Sequence, residues 1–136
     1  MSREFELLRL LPYFDSIPEQ RLKSSSLLWT VRNLKEDETI WWQGEPADDL
    51  AFILSGRLRV HISEELIAEL RSGELVGEAA AFTRDHRTAS VSAKEVSQLL
   101  LLPISHMETL RGSHPDVYDI IIEQCLSRMA RRVQDM

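Results

Sequence analysis

Residues 73–89 read Gly73-Glu74-Leu75-Val76-Gly77-Glu78-Ala79-Ala80-Ala81-Phe82-Thr83-Arg84-Asp85-His86-Arg87-Thr88-Ala89, and their chemistry decides how the rest of the chain is read. Gly77 lets the backbone bend tightly after a strand, because glycine reaches left-handed conformations without steric cost. Glu78 to Phe82 can then form a single helical turn. The first amides of such a turn lack intrahelical partners and make a cradle for an anion. The small side chains of Ala79 and Ala80 let a ligand approach that backbone. Arg87 returns to the same place, and its guanidinium can fork onto two phosphate oxygens, which a lysine cannot do. Glu78 would be out of place beside a bare phosphate. It fits a ligand that also offers a sugar hydroxyl, and an anion and a hydroxyl on one compact body describe a nucleotide.

The apolar pattern on both sides of this stretch is that of strands. Thr39-Ile40-Trp41-Trp42 is rich in β formers and is ended by Gln43-Gly44-Glu45-Pro46, a strong turn signal. Leu50 to Leu54 is a continuous apolar run turned by Ser55-Gly56. Leu58, Val60 and Ile62 alternate with Arg57, Arg59 and His61, as in a strand with one face in the core. Ser63-Glu64-Glu65 reverses the chain into Leu66–Leu70, and Arg71-Ser72-Gly73-Glu74 turns it again. Beyond the opening stretch, Ala89–Ala93 and Ser97–Leu102 supply two more strands. Many short strands at regular spacing predict a sandwich or roll over residues 29–103.

Helical spacing flanks this region. Phe5, Leu7, Leu8, Leu10 and Leu11 form a stripe ended by Pro12, and a second helix is expected from near Ser16. Ser16 and Glu19 have the spacing of a capping box, Pro18 suits a first turn, and Leu22, Leu27 and Leu28 would face the core. After Pro103, Ile104, Met107 and Leu110 predict a short helix stopped by Arg111-Gly112. Pro115 and Asp116 suit the start of a last helix. Its apolar stripe runs through Val117, Ile120, Ile121, Ile122, Cys125, Leu126, Met129 and Val133, wider than packing on one sheet requires. Arg128, Arg131 and Arg132 gather at its end, read as a solvated helix terminus. The expected organisation is a single domain over 1–136: a helical lead-in (1–28), the roll (29–103) and C-terminal helices (104–136).

Composition bounds the function. The chain has 136 residues with 43% hydrophobic content, enough for one core, and a net charge of -6. That charge argues against a nucleic-acid surface, which needs a basic face. Cys125 is the sole cysteine, so no internal disulfide and no cysteine-based zinc site is available. The four histidines have no partner at ligating spacing, so no metal is expected. The N-terminus lacks the features of a secretory signal, and no apolar run approaches a membrane span, which predicts a soluble cytoplasmic protein. No nucleophile–base pair is apparent, so no enzymatic activity and no catalytic residue is expected. Trp29, Trp41 and Trp42 are read as core or rim packing ahead of a stacking platform, and Cys125 as packing.

The central stretch resembles the phosphate-binding cassette of the cyclic nucleotide-binding domains, the family of the catabolite activator protein, protein kinase A regulatory subunits and cyclic-nucleotide-gated channels. The resemblance rests on Gly77-Glu78, on Ala79-Ala80-Ala81 and on Arg87-Thr88-Ala89. It extends to Gln43–Asp49 before Phe52-Ile53-Leu54-Ser55-Gly56, and to Met129-Ala130-Arg131-Arg132 near the end. The fold it implies is mainly β with flanking helices, a double-stranded β-helix (a jelly-roll-like β-roll) with N-terminal helices and a long C-terminal helix. Two departures stand out. Lys35-Glu36-Asp37-Glu38 replaces a frequent glycine, where Asp37 can take the left-handed turn, and His86 replaces a residue that is often small or proline.

The resemblance also implies residue roles. Glu78 accepts from the ribose 2′-hydroxyl and Arg87 pairs with the exocyclic phosphate oxygens. The backbone around Ala79, Ala80 and Ala89, with the Thr88 hydroxyl, completes the cradle, and Gly77 permits the turn. The ligand is cAMP ahead of cGMP, with no other cofactor. Members commonly dimerise through the last helix, so a homodimer is expected, together with an output domain or partner protein. Partnership with nucleic acid or membrane is not expected of these residues. The competing reading is a ligand-free dimerisation or docking module of the same fold, and the presence of both Glu78 and Arg87 weighs against it.

Overall fold

A computed structural model describes residues 3–134, with the side chains of Phe82 and of residues 132–134 left out of the description. The roll consists of eight strands: β1 (Thr30–Leu34), β2 (Thr39–Trp41), β3 (Asp49–Ser55), β4 (Arg57–Ile62), β5 (Glu65–Arg71), β6 (Leu75–Val76), β7 (Ser90–Ala93) and β8 (Ser97–Pro103). They form two four-stranded sheets in the orders β1-β8-β3-β6 and β2-β7-β4-β5, with antiparallel pairing throughout. The expected architecture of a mainly β roll with flanking helices and a long C-terminal helix is the one observed.

The continuous apolar runs are explained by burial on both faces. In β3, Ala51 and Ile53 join Leu34, Leu58, Val91 and Leu99 in the core between the sheets. Leu50 and Phe52 point the other way, into a second core built with the helices. β8 does the same, with Leu99 on the inner side and Leu100 and Leu102 under the helices. A strand covered on both faces has no use for polar alternation. β4 and β5 lie at the other side of the molecule, and their tip leaves Ile62, Leu66 and Ile67 about half exposed.

The helices are α1 (Arg3–Leu8), α2 (Glu19–Ser25), α3 (Glu78–Thr83), α4 (Ile104–Ser113) and α5 (Pro115–Gln134), with 3-10 turns at Pro12–Phe14 and Ser26–Leu28. Several sequence expectations are corrected here. α1 ends at Leu8, not at Pro12, and leaves Leu10 70% exposed. The Ser16–Glu19 capping box is not formed. Pro18, in extended conformation at the helix N-cap, makes Glu19 the first helical residue and leaves Ser16 outside the helix. Leu27 falls in the 3-10 turn after α2 and is 83% exposed instead of facing the core. α4 passes through Arg111-Gly112 to Ser113. The expectations for Arg132 and Val133 concern side chains outside the described residues.

The helices are tied to one another by polar contacts as well as by the core. Arg21 on α2 forms a two-pronged ion pair with Asp116 at the start of α5, at 2.6 and 2.7 Å. That contact holds the Asp116 carboxyl down at about 2, chiefly through the Arg21 hydrogen bond. Among the described residues no helix is long and apolar enough to cross a membrane.

Candidate ligand-binding site

The cassette forms because the sequence permits one unusual bend. Gly77 has a φ of 83° and caps α3, in the left-handed region that its missing side chain allows. After α3, Arg84 also takes a left-handed conformation (φ 56°), and the chain is then stitched to the turn before β3. Arg87 N–H donates to the Glu45 carbonyl at 2.7 Å, Gly44 N–H donates to the Arg87 carbonyl at 2.8 Å, and Ala47 N–H donates to the Asp85 carbonyl at 3.1 Å. The Gln43–Pro46 turn signal thus does more than end a strand: it is the template on which residues 85–87 are laid. Asp37, as expected, holds a left-handed turn (φ 67°).

Arg87 is drawn inward and fixed. It is only 4% exposed. Nη1 donates to the Gly77 carbonyl at 2.9 Å, and Nη2 donates to the Asp49 carbonyl at 2.6 Å and to Asp49 Oδ1 at 2.9 Å. The guanidinium lies over the Trp41 ring, 3.8 Å from its centroid. Among the described residues, its buried Nε has no acceptor. Burial lowers the proton affinity of Arg87 and raises that of Asp49 despite their attraction. Both shifts favour the uncharged forms, so desolvation outweighs the pair's Coulombic gain, the usual balance for a buried ion pair.

Beside Arg87 opens a cavity of about 740 Å³, within the range of small-molecule pockets. Gly77, Ala79, Ala80, Arg87, Thr88 and Ala89 all line it. The opposite wall is apolar, with Val60, Ile62, Ile67, Ala68, Leu70 and Val91 from the second sheet. Six of the seven sequence-predicted residues therefore meet at one cavity. Glu78 is placed differently. It has no exposed surface and is not part of the lining; its Oε1 lies 3.4 Å from Arg128 Nε on α5. The Glu78 carboxylate also bears on Cys125, whose thiol is pushed up to about 12 by burial first and by that charge second.

Sequence reasoning missed three contributors. Asp49 enters the sequence reading only as the end of the Gln43–Asp49 stretch of the resemblance, and Trp41 only as packing. Arg128 was read as part of a solvated helix end, yet its side chain is 15% exposed, lines the cavity and approaches Glu74 Oε1 at 3.8 Å as well as Glu78. Arg131 is exposed and also lines the cavity. No local signal marks these residues, since each acts across a long sequence separation. Among the described residues, no group of three or more His, Cys, Asp or Glu side chains could hold a metal ion.

The family model described as the cyclic nucleotide-binding domain matches residues 31–114. A cyclic nucleotide-gated potassium channel from Rhizobium etli is 31% identical over 131 residues, covering 93% of this chain but 35% of the channel. The chain thus spans about a third of that relative's length, and less of several others. A cyclic nucleotide-binding domain from Methylobacillus flagellatus superposes with a TM-score of 0.78 at 18% identity, covering 97% of this chain and 77% of that one. The catabolite activator protein of Thermus thermophilus gives 0.72 at 23% identity, covering 91% of this chain and 59% of that one. These two likenesses establish the fold. The family match spans more than half of the chain, and the chain belongs to the cyclic nucleotide-binding domain family.

Proposed function

We propose that this chain is a non-enzymatic sensor of a cyclic nucleotide, taking cAMP ahead of cGMP and passing its occupancy to an output partner. The observation that carries the reading is Arg87. Its guanidinium is buried in the cavity wall and immobilised through both terminal nitrogens. Arg87 lines the cavity, so a phosphate bound there would meet a full positive charge through charge-assisted contacts. In this reading the amides around Ala79, Ala80 and Ala89 and the Thr88 hydroxyl complete the phosphate cradle, and Gly77 allows its bend. A threonine after the arginine serves both ligands and does not by itself select guanine.

Glu78 supplies the link to conformational change. Glu78 is fully buried, outside the cavity lining and against Arg128 of α5, so for its carboxylate to accept from a ribose hydroxyl the packing of α3 against α5 has to rearrange. Ligand binding then favours a different seating of α5, a population shift driven by differential contacts in the two states. The exposed Leu126 on the same helix fits pairing with a second copy of the chain, so a homodimer through α5 is part of the proposal, to be measured by sedimentation.

Calorimetric titration with cAMP, cGMP and non-cyclic AMP tests the reading. The expected order is cAMP tightest and AMP weakest, with Arg87→Ala abolishing measurable binding while the circular dichroism of the roll survives. Absence of binding by all three would leave the docking-module reading in its place.

A further inference from the structure

We propose that Trp41 is a positioning residue for the phosphate clamp, holding the Arg87 guanidinium in place in the cavity wall. This rests on the cyclic-nucleotide reading of the cavity and names a part of the site that the cassette does not contain. Trp41 stands on β2, outside residues 73–89, and meets both members of the clamp at once. Its ring face lies 3.8 Å from the Arg87 guanidinium carbon. Its Nε1–H donates to Asp49 Oδ1 at 3.1 Å, the same oxygen that accepts from Arg87 Nη2. Trp41, Asp49 and Arg87 therefore form a closed triangle: face to guanidinium, edge to carboxylate, carboxylate to guanidinium.

The local fold places this ring deliberately. A register irregularity falls between Thr39 and Trp41 in the pairing of β2 with β7, and such bulges re-aim side chains. Of the adjacent tryptophans, Trp42 is 60% exposed whereas Trp41 is buried. The indole is also close against Gly77, where an added Cβ would lie 2.7 Å from Trp41 Cη2 and 2.6 Å from Arg87 Nη1. The two terminal nitrogens are taken by Gly77 and Asp49, so the indole face limits how the guanidinium plane can tilt. An aromatic face also attracts a cation more strongly in a desolvated setting. The arginine thus pays its rotamer entropy on folding and has little left to lose when a phosphate arrives.

The test uses the whole chain with Trp41→Phe, which keeps a smaller ring and loses the N–H donor, and Trp41→Leu, which loses both. Calorimetry with cAMP is read beside the Arg87 Nε–H signal in ¹⁵N-edited NMR, identified by its loss in Arg87→Lys. The expected result is weakening of about threefold to tenfold for Trp41→Phe and about tenfold to thirtyfold for Trp41→Leu. The Nε–H signal should move out of the indole's shielding and exchange faster with solvent in both. Affinities within twofold of the unsubstituted chain, or an unmoved Nε–H signal, would overturn the proposal. If Trp41→Leu does not fold, Trp41→Phe decides. Failure of the unsubstituted chain to bind any nucleotide would defeat the functional reading, while the Nε–H signal would still decide whether Trp41 positions Arg87.

Discussion

Replacing Gly77 with alanine isolates the geometry on which the cassette depends. Two costs apply. The first is conformational: Gly77 sits at φ 83°, and an L-residue in the left-handed region costs roughly 1–2 kcal/mol. The second is steric, because the new Cβ would stand 2.6 Å from Arg87 Nη1 and 2.7–2.8 Å from the Trp41 ring. Relieving that overlap means displacing a buried guanidinium or a buried indole, which by analogy with overpacked cores costs about 1–3 kcal/mol. The sum is about 2–5 kcal/mol of folding stability. Two internal controls separate the terms. Gly44 and Gly73 have φ of 93° and 89°, with nothing within 4 Å of an added Cβ, so alanine there should incur only the conformational cost of about 1–2 kcal/mol. Urea unfolding of the three variants gives the stabilities, and calorimetry with cAMP gives the affinities. Gly77→Ala should be the least stable and should bind at least about tenfold more weakly, since Arg87 Nη1 is pushed from the Gly77 carbonyl. Equal destabilisation in all three variants, with affinity unchanged in Gly77→Ala, would refute the argument that this glycine makes room for the clamp.

Three further outcomes follow from the same structure. Glu78→Gln should weaken cAMP binding by about tenfold or more and leave 2′-deoxy-cAMP nearly unaffected; equal losses for both ligands would remove Glu78 from the sugar site. Cys125, with its thiol pushed up to about 12, should resist a thiol reagent at pH 8 in the folded chain and react promptly in urea, and fast labelling of the native protein would contradict its burial. Asp116 is held at about 2, below its ordinary 3.8, so its stabilising contribution is present above the ordinary value and fades as pH falls from about 4 through 2. Urea midpoints should therefore drop further between pH 5 and pH 2 in the unsubstituted chain than in Asp116→Asn, and identical drops would exclude the Arg21 contact as the cause.

The relation between sequence and structure differs from element to element. The strands with clear alternation or bounded apolar runs, β3, β4, β5 and β8, stand where the pattern places them, because each is defined by its own side chains and turn residues. β1 and β6 carried no comparable signal. β6 is two residues long and owes its existence to pairing with β3. The helix boundaries also escaped local reading: Pro18 moved the start of α2 past Ser16, and the expectation that Leu27 is buried failed because the chain changes to a 3-10 turn there.

What the amino-acid order determined by itself was local and covalent: a glycine where the backbone must bend left-handed, small residues beside it, an arginine and a glutamate at fixed offsets, and turns that return the chain. Together with the alternation and apolar runs of the strands, those features mark the roll and the cassette's place in the sequence. Which charge meets which was decided only by tertiary structure. Glu78 is paired across the fold with Arg128, Arg87 with Asp49, and both Arg87 and Asp49 with Trp41. The physical reason is burial. Once a charged group leaves water it must find compensation within a few ångströms, and the nearest partners in space lie on strands and helices far away in the chain.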